Sequence, residues 1–279
     1  MIPYFPGHLL DLPRWLPGIG GYPIHWFGVL VALGVIIGDR IVVMQGRRRG
    51  LDENDVKYMN ARIVIGGFIV AHLVSVIFYF PERIREDWKV LINPFAGLSS
   101  MGGFLGAFVA FMYYTKKAAI PRLRYADSVA LGLSVGWIFG RTGCFTAHDH
   151  PGRHTDFFLA VRYPEGPRHD LGFYELLFTI LMTAVLFAYN RKPRQPGRII
   201  ALATLMYAPV RFLLDFLRAT DVARPDQRYL ALTPAQWACI ATFGLGLYLW
   251  RHGEATPPAP PAAPAEPPPN DPPPSEQQA

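Results

Sequence analysis

The stretch A-D-S-V-A-L-G-L-S-V-G-W-I-F-G-R-T-G-C-F, residues 126–145, decides how this chain is read. From Ala126 to Phe139 it is apolar apart from Asp127, Ser128 and Ser134, and it runs straight into Arg141. A dense polar cluster, T-A-H-D-H-P-G-R at 146–153, follows at once. A guanidinium at hydrocarbon depth costs roughly 2.5–3.5 kcal/mol at a helix centre on insertion scales. A chain that keeps one there must meet it with an anion, either a carboxylate of its own or a phosphate from outside.

Working outward, similar apolar runs recur at 23–44, 61–80, 97–114, 171–189, 198–217 and 234–250, and 126–143 brings the set to seven. About 20 apolar residues cross a bilayer as a helix. Only 17% of the residues are charged and 51% are hydrophobic, against about 25% charged in a soluble domain. The chain therefore reads as an all-α polytopic membrane protein with about seven transmembrane helices. No cleavable signal peptide is visible, because 1–22 is broken by Pro3, Pro6, Pro13 and Pro17 and has no basic start. Two cysteines, Cys144 and Cys239, are too few for a disulfide framework.

Basic residues set the expected orientation. Loops 45–60, 115–125 and 190–198 carry Arg47, Arg48, Arg49 and Lys57; Lys116, Lys117, Arg122 and Arg124; and Arg191, Lys192, Arg194 and Arg198. The alternate loops 81–96, 144–170 and 218–233 mix three basic residues each with acids, and 144–170 is the longest of all. Positive loops stay in the cytoplasm, which puts the N-terminus outside and the C-terminus inside. The chain then divides into an extracytoplasmic segment 1–22, a seven-helix domain 23–253 and a tail 254–279. The tail holds 11 of the 27 prolines and no Lys or Arg, a composition that predicts disorder or polyproline II in the cytoplasm.

Further polar residues sit at membrane depth. Arg211 and Asp215 are four apart and share a helix face with Tyr207 and Arg218, either as an ion pair that lets Arg211 insert or as the wall of an anion site. His72 and His25 read first as a helix contact and an interface residue. The small residues of 97–106, Gly102 and Gly103 among them, suit close helix packing or a backbone that approaches an oxyanion. His148, Asp149 and His150 superficially suggest metal ligands, but adjacent residues diverge and no fourth ligand completes the set, so no metal is expected. Glu175 opens a span after His169 and Tyr174, where it also suits the helix macrodipole.

Together these stations resemble the prolipoprotein diacylglyceryl transferases of bacterial inner membranes, over about residues 20–250. The resemblance rests on Gly140, Arg141, Gly143 and Phe145 with Asp149 and Gly152; on His169, Tyr174 and Glu175; on Tyr207, Arg211, Phe212, Asp215, Phe216 and Arg218; on His25-Trp26-Phe27-Gly28; and on Ser99-Ser100-Met101-Gly102-Gly103. The chain departs from the family pattern at Phe27 (tyrosine in the family), Met101 (histidine), Cys144 (asparagine) and His72 (arginine).

The resemblance implies transfer of the diacylglyceryl group of phosphatidylglycerol to the lipobox cysteine of a prolipoprotein signal peptide, with release of glycerol 1-phosphate. It implies a multi-pass protein of the bacterial inner membrane among membrane lipids, with no cofactor and no nucleic acid. Arg141 and Arg211 would clamp the phosphate, Asp215 would orient Arg211, and Asp149 would orient the Arg141 loop or the glycerol hydroxyls. His25, Phe27, Gly102, Gly103, Cys144, Gly152, Glu175 and Tyr207 would line the substrate site. With Met101 in the histidine position, the base is open among His148, His150, His169 and arginine proximity alone. Cys144 as a covalent intermediate is disfavoured, because a thioether leaves poorly. A paralogue with another lipid or acceptor, or a lipid or anion carrier without catalysis, are the alternative functions.

Overall fold

In a computed structural model, which describes residues 1–253 apart from 6, 12, 14, 16–20, 22, 94–96 and 223–225, each apolar stretch is helical. In hydrocarbon the backbone has only itself to bond to, and a helix satisfies it. The long helices are α1 (Trp26–Arg48), α2 (Glu53–Val74), α4 (Ser100–Lys117), α5 (Arg122–Ala147), α6 (Leu171–Tyr189), α7 (Arg198–Leu214) and α8 (Pro234–His252), with a short α3 (Pro81–Glu86) between α2 and α4. Among the described residues, four are long and apolar enough to cross a membrane: α1, α2 with the π-helical turn that follows it, α6, and α7 with its closing 3-10 turn. The fold is mostly helical, and the tail expected at 254–279 lies outside the described residues.

Glycine decides which helices meet. Gly34 and Gly38 of α1 face Gly136 and Gly132 of α5, each four apart. A Cβ on Gly34 would stand 2.7 Å from the Gly136 carbonyl oxygen, and one on Gly132 would stand 2.5 Å from that of Gly38. Such small-residue stripes let two backbones touch where lipid offers no hydrophobic drive. The 97–106 stretch works the same way, since a Cβ on Gly102 would come within 2.6 Å of the Val70 oxygen of α2. His72 of α2 meets the segment that leads into α4, with its ring nitrogens 3.3 Å from the Gly97 oxygen and 3.1 Å from the Leu91 oxygen. The remaining packing sets α6 against α5 and α8 along α7.

The end of the bundle with short loops is tied by polar contacts. Asp127 accepts three backbone N–H groups at the start of α7, from Gly197, Ile199 and Ile200. A lost cap of this kind typically costs about 0.5–2 kcal/mol. Arg49 bonds Asn190, and Asn190 bonds Gln45, joining α1 to the end of α6.

The opposite end departs from the all-α expectation. Loop 144–170 is not irregular: β3 (Pro151–His154), β5 (Gly166–Asp170) and β4 (Val161–Tyr163) form an antiparallel sheet in that order. A shorter pair, β1 (His8–Asp11) with β2 (Pro23–His25), lies before α1. The reason is an anchor the apolar count does not register. Asp170 accepts from the Phe173 N–H to cap α6, takes the Tyr163 hydroxyl, and binds His148 Nδ1 at 2.8 Å. His148 Nε2 in turn accepts the Phe5 N–H, so Nδ1 carries the proton that it donates to Asp170. The loop is held from both sides.

Candidate active site

Three helices deliver charge to one buried point beneath the sheet. Arg141 comes from the last turns of α5, Glu175 from the start of α6, and Arg211 from the end of α7. Glu175, 2% exposed, lies between the two arginines. Its Oε2 is 2.6 Å from Arg141 Nε and its Oε1 is 2.9 Å from Arg211 Nε. Neither carboxylate oxygen of Glu175, nor Arg141 Nε, makes a directed hydrogen bond, so these contacts are close ion pairs with the N–H vectors pointing aside.

The rest of each guanidinium is better placed. Arg141 donates through Nη2 to the Tyr207 hydroxyl at 3.2 Å and leans through Nη1 on Cys144 Sγ at 3.6 Å. Its carbon lies 4.5 Å from the ring centroid of Trp137, one turn back on α5. Arg211 donates through Nη1 to Asp215 Oδ1 at 2.7 Å. Asp215 Oδ2 accepts the Thr233 hydroxyl, and Thr233 with Gln236 forms the capping box that starts α8. Gln236 also donates to the Phe212 carbonyl, so the end of α7 and the start of α8 hold Asp215 together.

Two arginines and two carboxylates cancel in formal charge, and a buried ion pair gains only where hydrogen bonds satisfy the groups removed from water. Here the Glu175 contacts lack that satisfaction. An anion with several oxygens suits such guanidinium forks better.

The other expected site residues fall in three places. His25, Phe27 and Asp149 line a cleft of about 400 Å³ with Gly7, His8 and Ala147, beside Gly143, where a Cβ would stand 3.0 Å from Phe27 Cδ2. Gly152 locks β3 beneath the chain after α7: a Cβ there would lie 2.8 Å from the Leu217 oxygen and 2.7 Å from His169 Cβ. His169 bonds the Tyr174 hydroxyl through Nδ1 at 2.9 Å, burial lowers its pKa, and no described contact joins it to Arg141 or Arg211. Gly102 and Gly103 face α2, with the Gly102 N–H bonded to Ser99 Oγ.

Asp149 and His150 sit where the cleft meets the arginines. Cys144, Asp149 and His150 offer side-chain atoms that all lie within 4.8 Å of one another. The divergence expected of adjacent residues holds for His148, which turns away to Asp170, but not for the other two. Burial pushes the Asp149 carboxyl up to about 6, against the pull of Arg141. Burial first, then Arg141, Arg218 and Arg211, push His150 down to about 3. The guanidiniums that face this corner make it a poor place for a cation.

Trp137 and Thr233 are site residues that buried charge alone does not single out. Each carries another signal in the sequence: Trp137 is four residues before Arg141, the spacing for a ring beneath a helical cation, and T-P-A-Q at 233–236 has the capping-box pattern.

Among known proteins, the family model for prolipoprotein diacylglyceryl transferase matches residues 15–252. A protein of Polynucleobacter asymbioticus is 32% identical over 245 residues, covering 84% of this chain and 94% of its own length. One of Bordetella bronchiseptica is 30% identical over 261 residues (86% and 95%), and one of Clostridioides difficile is 27% identical over 202 (72% and 82%). All three bear the name phosphatidylglycerol–prolipoprotein diacylglyceryl transferase.

Proposed function

From the premise that this chain belongs to the prolipoprotein diacylglyceryl transferase family, we infer that it moves the diacylglyceryl group of phosphatidylglycerol onto a cysteine thiol of a prolipoprotein. The observation that carries this is the meeting of Arg141 and Arg211, from two separate helices, on one buried carboxylate. A phosphodiester entering there brings its own negative charge and offers oxygens to both forks. Charge that builds on the departing phosphate is then stabilised by donors already in position, which is where such sites gain most.

The contacts support the following roles. Arg141 and Arg211 hold the phosphate. Asp215, fixed by Thr233, keeps Arg211 in its rotamer, and Tyr207 and Trp137 do the same for Arg141. Glu175 is the resting counter-ion that the lipid phosphate replaces. Asp149, His25 and Phe27 line the approach for the signal peptide, whose lipobox supplies the attacking cysteine. The thiol sulfur bonds the glyceryl carbon, the carbon–oxygen bond to phosphate breaks, and glycerol 1-phosphate leaves. Cys144 supports Arg141 and forms no bond to substrate.

The seven long helices are read as seven spans of the inner membrane. The arginine cluster and sheet then sit at the outer face, 1–22 lies outside the membrane, and 254–279 is a cytoplasmic tail. In this orientation the cleft opens toward secreted precursors. The experiment is complementation in cells depleted of their own transferase, with the lipoprotein product weighed by mass spectrometry. Rescue with a diacylglyceryl adduct on the lipobox cysteine is expected; lipid binding without an adduct would refute the reading.

A further inference from the structure

The stretch Ser99-Ser100-Met101-Gly102-Gly103 offers no group that can accept the proton of the incoming thiol, since a methionine cannot. Resting on the function above, we propose that His150 takes that proton. Of the three histidines that the sequence leaves open as the base, His150 is the one that combines a free ring nitrogen with a place beside the Arg141 corner. His148 is buried, its Nε2 occupied by the Phe5 N–H and its Nδ1 by Asp170. His169 bonds the Tyr174 hydroxyl through Nδ1 and has no described contact with Arg141 or Arg211, so it stands away from the clamp. His150 has one ring nitrogen engaged: Nδ1 lies 2.9 Å from the Asp149 backbone oxygen. That oxygen can only accept, so Nδ1 carries the hydrogen and Nε2 presents a lone pair.

Its position is the second reason. The His150 ring and Cys144 Sγ are within 4.8 Å of each other, and Arg141 Nη1 touches that same sulfur at 3.6 Å. A base here therefore stands about one side chain from the phosphate clamp, at the side where the Asp149 cleft opens. The imidazole keeps 24% of its side-chain surface, enough for a substrate atom to reach it.

The charges that face His150 set the order of events. Arg141, Arg218 and Arg211 act on it as cations, and the Asp149 carboxylate lies 3.7 Å from Nδ1. Before lipid arrives, this field keeps the ring neutral but only weakly basic. A bound phosphodiester places a negative charge among the same guanidiniums, cancels part of the field and raises the basicity of Nε2. Lipid therefore binds before the thiol is activated. The thiol proton passes to Nε2 as sulfur bonds the glyceryl carbon. The carbon–oxygen bond breaks with its electron pair going to the phosphate, and the imidazolium returns the proton to the departing phosphate monoester.

The test is His150→Gln in the full-length protein in liposomes of phosphatidylglycerol, with a lipobox peptide as acceptor. General-base catalysis contributes about 10²- to 10⁴-fold, so turnover at neutral pH should fall by that factor while KM for lipid holds. The variant's rate should climb as pH approaches the free thiol value of about 8.5. A peptide with selenocysteine in place of cysteine, whose selenol is already ionised, should close most of the gap. Wild-type turnover by His150→Gln, or a deficit unchanged by pH and by the selenol, would overturn the assignment. If His150→Gln does not fold, His150→Ala with added imidazole decides between the same two outcomes: recovered turnover supports the base, and none refutes it. A wild-type protein that transfers nothing would instead refute the proposed function.

Discussion

Replacing Arg141 by lysine keeps the charge and removes the fork. Arg141 makes four contacts from one planar group: Nε to Glu175, Nη2 to Tyr207, Nη1 to Cys144, and its face to Trp137. A lysine ammonium is a single point and cannot reach Glu175 and Tyr207 in the arginine's geometry while also meeting a phosphate oxygen. The ion pair with Glu175 survives, so the fold should hold. What is lost is a donor aimed at the charge that develops on the phosphate. Removing one such donor typically costs about 2.7–4 kcal/mol, and since about 1.36 kcal/mol is tenfold, Arg141→Lys should lower turnover by about 10²- to 10³-fold. The assay is transfer from labelled phosphatidylglycerol to a lipobox peptide in liposomes, with the thermal midpoint in detergent measured alongside. A variant that folds normally and transfers within tenfold of wild type would show that charge alone suffices and that the fork does nothing.

Three further outcomes are expected. Glu175→Gln leaves Arg141 with no carboxylate partner and Arg211 with Asp215 alone, and breaking a buried pair costs about 3–5 kcal/mol; its thermal midpoint should drop, and phosphatidylglycerol should raise that midpoint more than it raises the wild type's. Equal shifts would mean the lipid phosphate does not replace the carboxylate. Cys144→Asn should retain transfer within a few-fold (about 1 kcal/mol or less for a weak sulfur contact), because an amide oxygen can take the Arg141 Nη1 contact; loss of all product would revive a covalent role for the sulfur. Gly132→Leu drives a side chain into the Gly38 carbonyl, and such overpacking costs about 1–3 kcal/mol or more, so the α1–α5 pair should loosen and the midpoint fall; an unchanged midpoint would contradict the close backbone approach.

Much of the helical frame was legible because lipid imposes a length and a composition that a count of apolar residues detects. The sheet after α5 escaped because its strands are short, polar and held by Asp170 and His148, whose partnership spans 22 residues and leaves no periodic trace. Gly34/Gly38 and Gly132/Gly136 each stand four apart in the sequence, but that spacing does not say which stripe meets which, and only the packed helices pair them. In the 97–106 segment the same ambiguity separated helix packing from a ligand-facing backbone, and the 2.6 Å approach of a Gly102 Cβ to Val70 favours packing at that glycine.

At the site, the cost of burying a charge made Arg141 and Arg211 conspicuous, because nothing but an anion explains a guanidinium at that depth. The same rule identifies the carboxylates as partners but does not pair them. Asp215 was assignable to Arg211 because both lie on one helix, four apart. Glu175 comes from a third helix and bridges both cations, which only the packing of α5, α6 and α7 determines. That bridge also explains how the arginines tolerate burial before any lipid arrives. A site left with two unpaired guanidiniums would be too costly to fold around, and one with fully directed hydrogen bonds to its own carboxylate would be too costly to open. Ion pairs at 2.6 and 2.9 Å whose N–H vectors point aside fall between these limits. They neutralise the charge at rest and leave the hydrogen-bonding capacity of the forks for a phosphate.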